Sequence, residues 1–102
     1  MPTFSSYSDS RLLDLIRKND QQALQTIFDR YWAQLFDLVF AQVRSVDSSR
    51  VIVQDVFITL WLKRRNLSAS NLWDYLYADA NCRSMECLAE RVKDLTEEKV
   101  MS

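Results

Sequence analysis

The chain is 102 residues long, enough for one domain that buries roughly 60–70% of the surface its unfolded form exposes. Its 48% hydrophobic and 26% charged residues are ordinary globular usage, and a formal net charge of −1 gives no whole-molecule attraction to nucleic acid. Glycine and histidine are absent and Pro2 is the single proline, which excludes glycine-turn sheets, phosphate-cradling loops and His-based triads or metal sites.

In chain order, residues 1–7 read as a frayed lead-in. Ser8 or Asp9 can cap a first helix whose apolar stripe is Leu12, Leu13 and Ile16. Asn19-Asp20 breaks that pattern and offers a cap to the next helix. The spacing predicts a second, long helix from about Gln21 to Arg44. Leu24, Ile27, Phe28, Tyr31, Leu35, Leu38 and Val39 recur at steps of three and four, and Phe36 and Phe40 widen the stripe. Residues 45–48 (Ser-Val-Asp-Ser) read as a short loop ending in a cap.

A third helix is expected from about Ser49 to Arg65, with Ile52, Val53, Val56, Phe57, Leu60 and Trp61 inward. Its β-branched residues make a strand the local competitor, and the 3.6-residue period decides for helix. Within it, the stretch from Val51 to Arg65 is the best docking candidate. Asn66 to Ser70 reads as a polar connector. A fourth helix follows from Asn71 to about Thr96, with Leu72, Leu76, Ala80, Cys87, Leu88, Val92 and Leu95 on one face and 97–102 fraying. The expected architecture is all-α: a single domain over 1–102, a compact bundle of about four helices.

Cys82 and Cys87, five residues apart on a helix, lie on different faces. They read as buried or half-buried thiols in a reducing compartment. No apolar run approaches the ~20 residues of a membrane span, and residues 1–10 lack the basic start and apolar stretch of a signal peptide, so the cytoplasm is the expected location. Asp47, Asp55, Asp74 and Asp79 read on separate helices or turns, and nothing in the sequence shows two of them converging for acid–base or metal chemistry. Neither an enzyme nor a cofactor or metal site is expected.

Interaction surface remains. Gln54 and Asp55 project beside a hydrophobic stripe and suit a basic helix on a partner; an ordinary solvated face is the plain alternative. Lys63, Arg64 and Arg65 can meet phosphates or simply complement a helix C-terminus. Trp73, Tyr75 and Tyr77 can stack on unpaired bases or cover the core. Trp73 and Tyr77 are expected on the flank of the inward face, with Tyr75 turned away from it.

These features together have a familial likeness. Asn19-Asp20-Gln21-Gln22-Ala23-Leu24, then Phe28-Asp29-Arg30-Tyr31-Trp32 and Leu35-Phe36, resemble the opening of an extracytoplasmic-function RNA polymerase sigma factor. Val53-Gln54-Asp55-Val56-Phe57-Ile58 with Leu60-Trp61 resembles that family's most diagnostic segment, and Tyr75-Leu76-Tyr77 with Ala80-Asn81 the start of its promoter-melting helix. The likeness covers roughly residues 9–90, the span of sigma region 2; no segment is expected to serve as region 4.

The resemblance implies a helical bundle whose third helix docks on the clamp helices of the polymerase β′ subunit, through Asp47, Gln54, Asp55 and Ile58. It implies contact with the non-template strand of the promoter −10 element through Lys63, Arg64, Arg65, Asn66, Ser68, Asn71, Tyr75, Tyr77 and Arg83, and an anti-sigma factor as a further partner. The chain also departs from the family. Arg50-Val51 stand where an acidic pair is usual. From Asn71 onward seven acids face four bases, a net charge of −3. These departures fit a second reading, a degenerate sigma-derived interaction or regulatory module without DNA binding, self-association included.

Overall fold

Each α-helix starts on a side chain that takes up a free backbone amide. Ser8 accepts from the Arg11 N–H at 3.3 Å, and Asp20 from Gln22 and Ala23 at 3.0 and 3.2 Å. Ser45 accepts from Ser48 and Asn71 from Asp74, both at 3.2 Å. The computed structural model describes residues 6–67 and 71–101, with side chains through Leu95. It places α1 at Asp9–Arg17, α2 at Gln21–Val43, α3 at Val46–Leu62 and α4 at Leu72–Met101, with a 3₁₀ turn at Arg64–Asn66. The fold is an all-α bundle, as the periodicity predicts.

Three boundaries differ from the sequence reading. α3 begins at Val46, because Ser45 captures the amide first and Asp47 then sits in the first turn, where a carboxylate complements the helix dipole. The expected loop over 45–48 therefore shrinks to Arg44 and Ser45. α3 also ends at Leu62 rather than Arg65. Lys63 is its C-cap, and the next three residues tighten into the 3₁₀ turn. α4 continues past Thr96 to Met101, since Glu, Lys and Met sustain a helix and no glycine or proline stops it.

α2 is the central element and packs against the other three helices. Ile27, Leu35, Val39 and Val43 from α2 meet Leu12 and Ile16 from α1, Val56 and Leu60 from α3, and Leu72 and Leu76 from α4, all essentially inaccessible. Burying one such side chain contributes about 1.5–3 kcal/mol. Two serines join this core. Ser84 is satisfied by donating to the Ala80 carbonyl at 2.9 Å, whereas the Ser49 hydroxyl has no hydrogen-bond partner among the described residues.

The inward face expected for α4 holds only in its first half. Val92 and Leu95 are 62% and 63% exposed. α4 is longer than the bundle it packs on: α2 ends at Val43, and Arg91 reaches that end to donate to the Val43 carbonyl at 2.5 Å. Beyond Arg91 the apolar period continues through Val92 and Leu95 on an exposed face. Cys82 is exposed rather than buried, and Cys87 half-buried. No described helix is long and apolar enough to cross a membrane.

Candidate docking face and basic end

Helix geometry sorts the outer residues of α3 into two faces. Asp47, Val51, Gln54 and Ile58 follow one another at steps of four, three and four, so they form one ridge. All four are exposed, Val51 by 55% and Ile58 by 54%, and Leu62, one further turn along, by 73%. Three of the four residues predicted to meet the polymerase lie on this ridge.

Asp55 lies on the other side of α3, toward α4. Arg83 of α4 reaches across to it: Nη2 donates to the Thr59 hydroxyl at 2.7 Å, Nε to Asp79 at 3.0 Å, and Nη1 lies 4.0 Å from the Asp55 carboxylate. Gln54 and Asp55, read together as one grip, thus face different neighbours. Arg83, read as a DNA contact, ties α4 to α3.

Between the ridge and α2 runs an apolar trough. One end, about 470 Å³, is lined by Leu24, Phe28, Phe57, Ile58 and Trp61, together with Gln21, Gln25 and Gln54. A second hollow of about 430 Å³ continues from the shared Phe28 and Gln54 along Trp32, Phe36, Val53 and Arg50. The α2 wall is a run of rings at i, i+4 spacing. Phe28 and Trp32 stack at 6.3 Å between centroids, Trp32 and Phe36 meet edge-on at 6.3 Å, and Phe28 meets Phe57 edge-on at 5.0 Å. Such pairs add about 0.5–1.5 kcal/mol beyond their buried area, which holds the trough open as a preformed shape.

Past Leu62 the chain turns basic, and its three cations differ. Arg64 is bound within the fold. Its Nε and Nη2 both donate to Asn19 Oδ1, at 2.9 and 2.7 Å, its Nη1 donates to the Trp61 carbonyl at 2.7 Å, and its guanidinium lies 4.1 Å from the Trp61 ring centroid. Lys63 and Arg65 are exposed. Arg17 donates to the Leu67 carbonyl at 2.9 Å, so the end of α1 is fastened to the segment after α3 at two points. Asn19 makes its part possible by adopting a left-handed φ of 69°, a conformation asparagine tolerates better than most residues.

The remaining predicted DNA contacts are dispersed. Asn66 is exposed, Asn71 caps α4, and Ser68 lies outside the described residues. The tyrosines are the reverse of expectation. Tyr75 is half-buried against the core, and Tyr77 is exposed. Each lies one residue from Leu76, on opposite flanks, and of the two tyrosines only Tyr75 is packed against the core among the described residues. Burial, helped by the nearby Asp79 carboxylate and opposed by Arg83, pushes the Tyr75 phenol above its usual range. Trp73 sits between Tyr31 and Tyr77, at 5.6 and 6.3 Å.

No family model, no curated protein and no solved structure matches this chain.

Two features of this region escape the sequence. Asn19 is legible as a helix break, but its bond to Arg64 spans 45 residues. The network of Asp9, Arg30 and Tyr31 likewise joins α1 to α2. Arg30 pairs with Asp9 at 2.8 Å and donates to the Tyr7 carbonyl at 2.8 Å, while the Tyr31 hydroxyl donates to Asp9.

Proposed function

We propose that this chain is a sigma region 2-type transcription initiation domain, acting in the cytoplasm, that docks through α3 on the clamp helices of the RNA polymerase β′ subunit. The observation that carries this reading is the exposed ridge of Asp47, Val51, Gln54 and Ile58 beside a preformed aromatic trough. Three of those four residues, Asp47, Gln54 and Ile58, are ones the resemblance assigns to docking, and two of them lie in its most diagnostic segment. An exposed stripe at helical spacing is the shape that receives another helix. Val51 and Ile58 are each a little over half exposed, so covering them offers roughly half of the 1.5–3 kcal/mol that full burial of such a side chain contributes. An anti-sigma factor would compete for the same ridge. In this reading the segment after α3 approaches the non-template strand of the −10 element, and no catalytic step is involved. A pull-down with the isolated β′ clamp helices tests it: the chain is retained, and failure of retention refutes the docking.

One observation favours the second reading, an interaction module without promoter melting. Arg83 and Arg91, two of the four bases on α4, are engaged with Thr59, Asp79 and the Val43 carbonyl. The helix that would melt the promoter is acidic, and its arginines serve the fold.

A further inference from the structure

α4 carries a second apolar face besides the one that packs on α2 and α3. Met85, Val92 and Leu95 are 61%, 62% and 63% exposed, and Leu88 is half-buried. These residues follow one another at steps of three, four and three. That is the a/d spacing of a helix–helix seam, narrower than the stripe a helix turns toward a globular core. Glu86, Glu90, Lys93 and Asp94, around the rest of this stretch, are exposed and charged. Single exposed apolar residues are ordinary. A run of them in heptad register on one helix is a patch, and a helix in water draws most of its stability from packing such a face.

The spacing is symmetric about Glu90: Leu88 and Val92 lie two residues to either side of it, Met85 and Leu95 five. A second copy running antiparallel and crossing at Glu90 therefore sets Met85 level with Leu95 of that copy, and Leu88 level with its Val92. Such self-complementarity is what a two-fold interface requires. Charge follows the same symmetry. Glu86 and Lys93, seven residues apart, lie along one flank of the stripe. In a two-fold pair that flank meets itself, so each Glu86 comes level with Lys93 of the other copy. The antiparallel helix dipoles are complementary as well. Ala89, exposed on the same flank at the crossing, presents only a methyl group to the close approach. Other occupants fit less well. Between residues 85 and 95 three acids stand against two bases, which disfavours an anionic membrane or a nucleic acid.

We infer that this face of α4 is a self-association surface, on which two copies of the chain pair antiparallel through Met85, Leu88, Val92 and Leu95. The inference rests on neither the α3 ridge nor the familial likeness, and it stands or falls apart from the docking proposal. So short a seam makes a small interface, so the dimer is weak and dilute protein is monomeric.

The test is sedimentation of the full chain from low to high micromolar concentration. The expected result is a reversible equilibrium between monomer and dimer that goes no further. Leu95→Glu puts a carboxylate into the seam from each copy and is expected to raise the dissociation constant at least about tenfold. Leu62→Glu, at an exposed leucine on α3, is expected to leave it unchanged. Both positions are exposed, so the melting temperature of the dilute monomer stays at the wild-type value. Glu86→Lys and Lys93→Glu are each expected to weaken the dimer severalfold, and the two together to restore it. A chain that stays monomeric at every concentration overturns the inference. So does a dimer undiminished by Leu95→Glu, a dimer weakened as much by Leu62→Glu, or growth past the dimer into larger assemblies. A charge-swapped double variant that stays weak overturns the antiparallel pairing.

Discussion

Arg44 closes α2 at a φ of 59°, donating its N–H to the Phe40 carbonyl at 2.9 Å. A left-handed residue at this point is the ordinary way for a helix to stop, and glycine is the ordinary occupant. In a chain without glycine, a residue with a Cβ bears a strain of roughly 1–2 kcal/mol. Arg44→Gly relieves it while adding freedom to the unfolded chain. The expected net is a stabilisation of about 0.5–1 kcal/mol, seen as a higher midpoint in urea with unchanged slope; a lower midpoint contradicts the strain. Tyr31 offers a second residue-scale check. Burial, with the hydrogen bond to Asp9, pushes its phenol up to about 12 from 10.0. The folded state therefore holds the proton more tightly than the unfolded state. The stabilisation is fully present below pH 10 and is lost as pH rises toward 12. Melting temperature should fall less steeply over that window in Tyr31→Phe than in the wild type, and identical profiles would contradict the assignment.

At the scale of elements, the number, type and order of the helices are legible in the sequence because each carries its own period and its own cap. Asp20 and Ser8 stand at the starts the pattern predicts. The errors have physical causes. Three candidate caps, Ser45, Asp47 and Ser48, crowd residues 45–48, and the serine that wins depends on which amide it reaches. Tyr75 and Tyr77 flank Leu76 equally, so the wheel cannot say which flank is covered. The period of α4 continues through Val92 and Leu95, but a period marks a face without saying what lies against it. This last point is measurable. Leu76→Ala should cost about 2–5 kcal/mol, whereas Leu95→Ala should cost less than about 0.5 kcal/mol, both read from denaturant unfolding. A large loss for Leu95→Ala would mean that the end of α4 is packed.

At the scale of the whole molecule, the candidate functional residues separate into two regions. The α3 ridge and its trough are apolar, with glutamines among the lining; the joined ends of α1 and α3 are basic. Part of this was legible: Gln54 stands out beside a hydrophobic stripe, although Asp55, read with it, faces Arg83 of α4, and Lys63–Arg65 is a visible cluster. The division of labour was not, because it depends on contacts between residues 24 to 50 positions apart, from Arg83 with Thr59 to Arg17 with Leu67. Those contacts remove Arg83 and Arg64 from the set of free cations. The central claim is that α3 docks through its exposed ridge. Calorimetric titration of the isolated β′ clamp helices with wild type and with Ile58→Glu tests it most directly, because Ile58 is exposed and its replacement leaves the core intact. The account predicts binding by the wild type and at least about a tenfold loss in Ile58→Glu, the effect of losing about 1.4 kcal/mol. Equal affinity of the two proteins, or no binding by either, would contradict it.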